Sequence, residues 1–167
     1  MYQIGDQVVY GIHGVCRITA EEQRTVDRKT VVYLVLEPLG QAGTRYLVPT
    51  HNEIAMKKLQ PMLTPEDLEA LIHSERVRTD CWNKDENARK RCYRELISSG
   101  DRDSLMRMVY TLYRHKKTQT EAGKRVHLAD ENFLRDAERL LIGEISAIKG
   151  ISPEAAKLYF RNNLKEK

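Results

Sequence analysis

The stretch TDCWNKDENARKRCYREL, residues 79–96, sets the chain's single tryptophan, Trp82, just ahead of a run of cations. Lys84, Lys90, Arg91 and Arg94 fall at spacings that gather them within roughly a third of a helical circumference. Cations on one face can neutralise a phosphate backbone, and Arg114, Lys116 and Lys117 add charge further along. An aromatic ring beside such cations is also what minor-groove proteins use to pry at a base step. The same residues have a plainer use. A large apolar side chain before a helix often packs back on it as a hydrophobic staple, and most basic faces only meet water. Both readings stand at this point: a DNA-contacting wedge, or a packed ring beside a solvated basic face.

Catalytic chemistry finds no such foothold. There is no phosphate loop, no G-x-G-x-x-G, no H-E-x-x-H and no G-x-S-x-G. His13, His51, His73, His115 and His127 are dispersed without ligand spacing. Cys16, Cys81 and Cys92 are odd in number and lack a CxxC pair, so neither a zinc site nor a disulfide framework is expected. The expectation is a protein that is not an enzyme, with no cofactor, metal or small-molecule substrate. Asp and Glu fall mostly beside Lys or Arg, as solvated pairs would. Helical spacing sets Cys92 in a stripe with Ala88 and Leu96, widened by Tyr93 and Ile97, and predicts a small core residue there. Arg89 falls nearer that apolar side and calls for an acidic partner.

These residues sit in a chain of 167, of which 41% are hydrophobic and 31% charged, the proportions of a globular protein of one domain or two small ones. The N-terminus MYQIGDQVVY lacks a basic-then-apolar leader, and no apolar run approaches ~18 residues, so a cytoplasmic protein without membrane contact is expected. The net charge of +4 is uneven. Residues 61–75 hold four acids and no Lys or Arg, whereas residues 76–117 hold twelve bases against six acids. The basic excess lies in the segment that carries the tryptophan, which favours an anionic partner.

Two periodicities divide the chain. Through residue 60, DQVVY, GVCRITAEE, KTVVYLVLEPL and TRYLVPT read as strands, separated by Gly5-Asp6, Gly11 to Gly14, Asp27-Arg28 and the Gly40–Gly43 stretch. Four or five short antiparallel strands imply a small barrel or strongly bent sheet, with NEIAMKKL as a short fifth. From Thr64 the apolar spacing becomes helical. Helices are predicted from Thr64-Pro65, over about 84–98, over DSLMRMVYTLYRHKK, over about 128–148, and from Ser152-Pro153. The class is α+β with two domains, 1–60 and 64–167, parted at LQPMLTP.

IGDQVVYGIHGVCRI, followed by YLVLEPL and YLVPTHN, resembles the N-terminal RNA-polymerase-interaction domain of the CarD/CdnL family, to which a module of transcription-repair coupling factors is related. The later pattern W…R…SGD…LYRHKK…D…RLLIGEIS resembles the family's helical domain, so the likeness spans about Tyr2 to Ile148. It implies a bacterial transcription regulator without catalytic activity. Its Tudor-like β domain would dock on the RNA polymerase β subunit. Its helical domain would lie on promoter DNA, reading no sequence, with the family tryptophan wedged into the minor groove at the upstream edge of the bubble and stabilising the open complex. Trp82 holds that place, and Lys84, Lys90, Arg91 and Arg94 are the candidates for backbone contacts. Arg24 matches a polymerase-contacting position. Two departures stand out: Leu47 precedes Val48-Pro49 where some members carry arginine, and the run from Trp82 to Ser99-Gly100 is longer than usual. The competing expectation is an interaction adaptor whose helical half only packs or dimerises.

Overall fold

Alternating strands in the first 60 residues become one antiparallel sheet. The computed structural model describes residues 1–165, and the chain divides into two compact units, Met1–Met62 and Leu63–Lys167. The first contains β1 (Gln7–Tyr10), β2 (Val15–Val26), β3 (Lys29–Pro38), β4 (Tyr46–Pro49), a short helix α1 (Glu53–Lys57) and β5 (Leu59–Pro61). The strand order is β4-β3-β2-β1-β5, with each neighbouring pair antiparallel. Asp27 and Arg28 join β2 to β3 with φ of 47° and 63°, the two-residue hairpin geometry that matches strand twist. A register shift between Ile18 and Ala20 adds bend to β2. One face carries the core, formed by Val8, Cys16, Ile18, Leu34, Leu36, Val48 and Leu59. Burial pushes the Cys16 thiol up to about 11, so it behaves as a small apolar residue.

The Gly11–His13 turn needs Gly14 at φ 74° and ψ −149°, a region open essentially to glycine alone. It folds His13 onto Tyr46, with ring centroids 4.1 Å apart, and both onto Tyr10. The NEIAMKKL segment is not a strand, contrary to the sequence reading. It forms α1, because the Asn52 side chain accepts the Ala55 N–H at 3.0 Å and Ala, Met and Lys follow as good helix formers. The fifth strand begins only at the segment's last residue, Leu59, and runs to Pro61 at the sheet edge, where proline is tolerated.

The second unit contains α2 (Pro65–Ile72), a 3₁₀ turn Glu75–Arg78, α3 (Glu86–Ser99), α4 (Arg102–Glu121), α5 (Leu128–Lys149) and α6 (Pro153–Leu164). Thr64, Asp85, Asp101 and Ser152 accept backbone N–H groups as N-caps, and Gly100 and Gly150 close α3 and α5 in left-handed conformation. Leu68, Ile72, Met106, Val109, Leu141, Ile145 and Phe160 lie in one continuous core. The fold is α+β, an antiparallel sheet followed by helices.

Three acids depart from the solvated role expected of them, because Asp130, Glu138 and Glu144 are buried. Arg89 Nε and Nη2 donate to Asp130 at 2.9 Å each, and Arg102 Nη2 and Nε donate to Glu144 at 2.8 and 3.0 Å. Glu138 accepts from the Tyr113 hydroxyl and from Arg161. All three pairs join different helices, so each ties the bundle together rather than decorating one helix. Among the described residues no helix is long and apolar enough to cross a membrane.

Candidate nucleic-acid interface

The segment before Trp82 has no regular structure of its own, and α4 holds it in place. Arg107, Thr111 and His115 recur every fourth residue and so share one stripe of α4. Arg107 Nε donates to the Thr79 carbonyl at 3.1 Å, and the Cys81 N–H donates to Thr111 Oγ1 at 3.0 Å. His115 Nε2 lies 3.5 Å from Asp80 Oδ2, while Asp80 Oδ1 accepts the Trp82 N–H at 2.8 Å. Every residue from 79 to 82 is thus tied down before α3 begins.

The indole is held as firmly as the backbone. The His115 imidazole stacks on it with centroids 3.7 Å apart and planes 17° apart. The Arg89 guanidinium lies over the ring, its Cζ 4.1 Å from the centroid. Arg89 is only 3% exposed, and its third contact is Nη1 to the Asn83 carbonyl at 2.9 Å. A chain of support therefore runs from buried Asp130 through Arg89 to Trp82, and Arg89 has the acidic partner its position calls for. Trp82 is partly buried and packs on the helical core. It is neither a free wedge nor a wholly buried staple but a partly exposed ring of fixed orientation. Burial pushes the His115 imidazole below its ordinary range, against the opposing pull of Asp80, so a neutral ring stacks on the indole near neutral pH.

The candidate cations are placed unequally. Arg91 and Arg94 are exposed on α3, and Lys90 beside them is partly covered, its Nζ 2.8 Å from Glu86. Lys84 is exposed but precedes α3, since Asp85 caps the helix, so it belongs to the turn after Trp82 and not to the helical face. Cys92 is exposed, correcting its expected place in the core. The inward stripe of α3 is Arg89 and Tyr93, with Leu96 and Ile97 partly covered, because a paired arginine occupies the position a pattern reading assigns to an apolar residue. Tyr93 meets Phe133 edge-on, with centroids 5.6 Å apart.

A second surface lies on the sheet unit. Residues paired across strands share a face, and the register pairs Arg24 with Val31, Glu22 with Tyr33 and Pro49, and Ala20 with Val35 and Leu47. Arg24 and Leu47 therefore share the face opposite the core. Glu22 accepts Arg24 Nη2 at 3.0 Å and Arg45 Nη2 at 2.6 Å, and these bonds hold its carboxyl below the usual range. Arg45, absent from the sequence reading, brings a second guanidinium to this face two residues before Leu47. Asp130, His115 and Asp80 were also missed; the fourfold spacing of Arg107, Thr111 and His115 was a legible signal, whereas nothing local marks Asp130. Among the described residues, no three His, Cys, Asp or Glu side chains are disposed to hold a metal ion.

Comparison with known proteins agrees with this division. Residues 2–60 match the CarD-like/TRCF RID domain, and residues 68–161 match the CarD C-terminal domain. Bacillus subtilis (strain 168) YdeB, whose name proposes a transcription factor, is 26% identical over 164 residues, covering 95% of this chain and 99% of that protein. With family domains over both units, the chain belongs to the CarD/CdnL family of transcription regulators.

Proposed function

We propose that this regulator docks through residues 1–60 on the β subunit of bacterial RNA polymerase and stabilises the promoter open complex through residues 64–167. The observation that carries this reading is the held orientation of Trp82. A wedge that must order itself on binding loses affinity to side-chain entropy, whereas an indole already stacked on His115 and covered by Arg89 does not. Lys84, Arg91 and Arg94 would contact the DNA backbone near it, with Lys90 joining once it leaves Glu86. The protein acts in the cytoplasm and carries out no catalysis; its effect is on an equilibrium. A preference of about 1.4 kcal/mol for the open form shifts that equilibrium tenfold.

The two units divide the labour. A small basic face alone gives non-specific DNA affinities of only ~10⁻⁴–10⁻⁶ M at physiological salt. Tethering to polymerase raises the local DNA concentration and makes that contact effective. On the sheet unit, Arg24 and Leu47 meet the polymerase, and Arg45, just before β4, supplies the guanidinium that Leu47 lacks. Minor-groove contact without base reading leaves sequence dependence to the ease of opening each step.

The second reading is the adaptor, and the packing of Trp82 on the helical core favours it. Open-complex lifetime on a ribosomal promoter separates the two. With the cognate polymerase, wild type should lengthen the lifetime, and Trp82→Ala, Arg24→Glu and Arg45→Glu should each abolish the gain while remaining folded. A Trp82→Ala protein that retains the full effect would establish the adaptor instead.

A further inference from the structure

We propose that the cleft between the C-terminal half of α4 and α6 is a binding site for a nucleoside polyphosphate. The cleft encloses about 540 Å³, within the range of sites that hold small organic ligands. Tyr110, Tyr113, Leu134 and Leu164 give it an aromatic and aliphatic floor, suited to a planar base. Arg114, Lys116 and Lys117 from α4, with Arg161 and Lys165 from the far side, supply the charged lining, and among the described residues no acid lines it. Glu138, a buried carboxylate, accepts the Tyr113 hydroxyl and holds Arg161 at 3.2 Å from both oxygens. Arg161 is thus oriented in advance, unlike a loose surface cation.

The C-terminal end of α6 brings a partial negative charge of about half a unit to the rim, small beside the cations of the lining, of which Arg161 alone is held by Glu138. A nucleic-acid strand would also seek cations, but it spreads one phosphate per nucleotide along a groove. Here the cations crowd around a floor the size of one nucleotide, which suits a ligand whose phosphates are adjacent. Arg114 and Lys116 flank His115, which stacks on Trp82, so an occupied cleft has a built-in fluorescent reporter.

The test titrates the full-length protein with ATP, followed by calorimetry and Trp82 emission, with adenosine, inorganic tripolyphosphate and a single-stranded oligonucleotide run in parallel. ATP should bind at least about tenfold more tightly than adenosine or tripolyphosphate. The double substitution Lys116→Gln, Lys117→Gln should weaken ATP by about tenfold and leave the circular dichroism unchanged. The proposal is overturned by absence of a response to ATP at about 5 mM, a concentration that would detect even weak sites. Equal binding of tripolyphosphate and ATP would overturn it too, reducing the cleft to a general basic patch. So would tighter binding of the oligonucleotide than of ATP with sensitivity to the same double substitution, which would make the cleft a nucleic-acid surface.

Discussion

The sheet unit keeps its charges outside and the helical unit buries four, Arg89, Asp130, Glu138 and Glu144. On the sheet, the pairs Arg24–Glu22 and Arg45–Glu22 lie on a solvent-facing surface, and the core behind them is apolar. In the helical unit, Asp130, Glu138 and Glu144 each hold an arginine inside or at the edge of the bundle. Buried pairs cost desolvation and are weak contributors to net stability, yet losing one partner is expensive. What such pairs supply is position. Arg89 would not lie over Trp82 without Asp130, whereas the arginines of the sheet face remain free to rearrange on a partner.

The sharpest way to break this contrast is Asp130→Ala, which leaves the Arg89 guanidinium buried without its carboxylate. A loss of about 3–5 kcal/mol is expected in urea unfolding, together with a red shift and easier iodide quenching of Trp82 emission. If the stability falls but the emission does not move, Arg89 is not what fixes the ring. On the sheet side, Leu36→Ala should cost about 2–5 kcal/mol as an ordinary core cavity. His115, Arg89 and Asp80, which hold Trp82, all belong to the helical unit, so the unfolding midpoint read at Trp82 should stay at its wild-type value in that variant.

Sequence reasoning reached the strands and helices because their signals are local. Alternation, the Asp27-Arg28 turn, Thr and Ser caps and the glycines after α3 and α5 each act within a few residues. It faltered where the deciding contact is remote. The place of Arg89 near the apolar side and its need for an acid are legible, but the acid itself, Asp130, lies 41 residues later, and the pair turns α3 so that Cys92 faces solvent. The α1 segment reads as a strand because a five-residue helix with a single Asn cap is too short to show a helical period. Trp82 itself was found, but the imidazole and guanidinium that hold it come from other turns of the fold.

A smaller effect follows from the stacked imidazole. The His115 pKa is lowered in the folded protein, first by burial, so the unfolded chain takes up that proton more readily. Its contribution to stability is fully present above the unfolded value of 6.5 and is lost as pH falls toward the folded one. Protonation also places a cation against the indole beside Arg89. Trp82 emission should therefore drop as pH falls below that of the unfolded histidine, and His115→Gln should flatten the curve. An unchanged profile in that variant would assign the transition to another group.

The smallest expected change concerns single cations on α3. Arg94 is exposed and no other helix needs it, so Arg94→Ala should leave the unfolding midpoint where it is. If it meets a phosphate, binding to duplex DNA should weaken almost equally for all sequences, and the slope of log K against log salt should fall by about one. Lys90→Ala offers a contrast on the same helix, because Lys90 must first give up Glu86 and so contributes less to binding. Equal losses at both positions would mean that the Glu86 pair does not survive at the interface. A salt slope untouched by either substitution would place the DNA contacts elsewhere, on Lys84 and the turn that follows Trp82, and the fixed ring rather than the helical face would then carry the interaction.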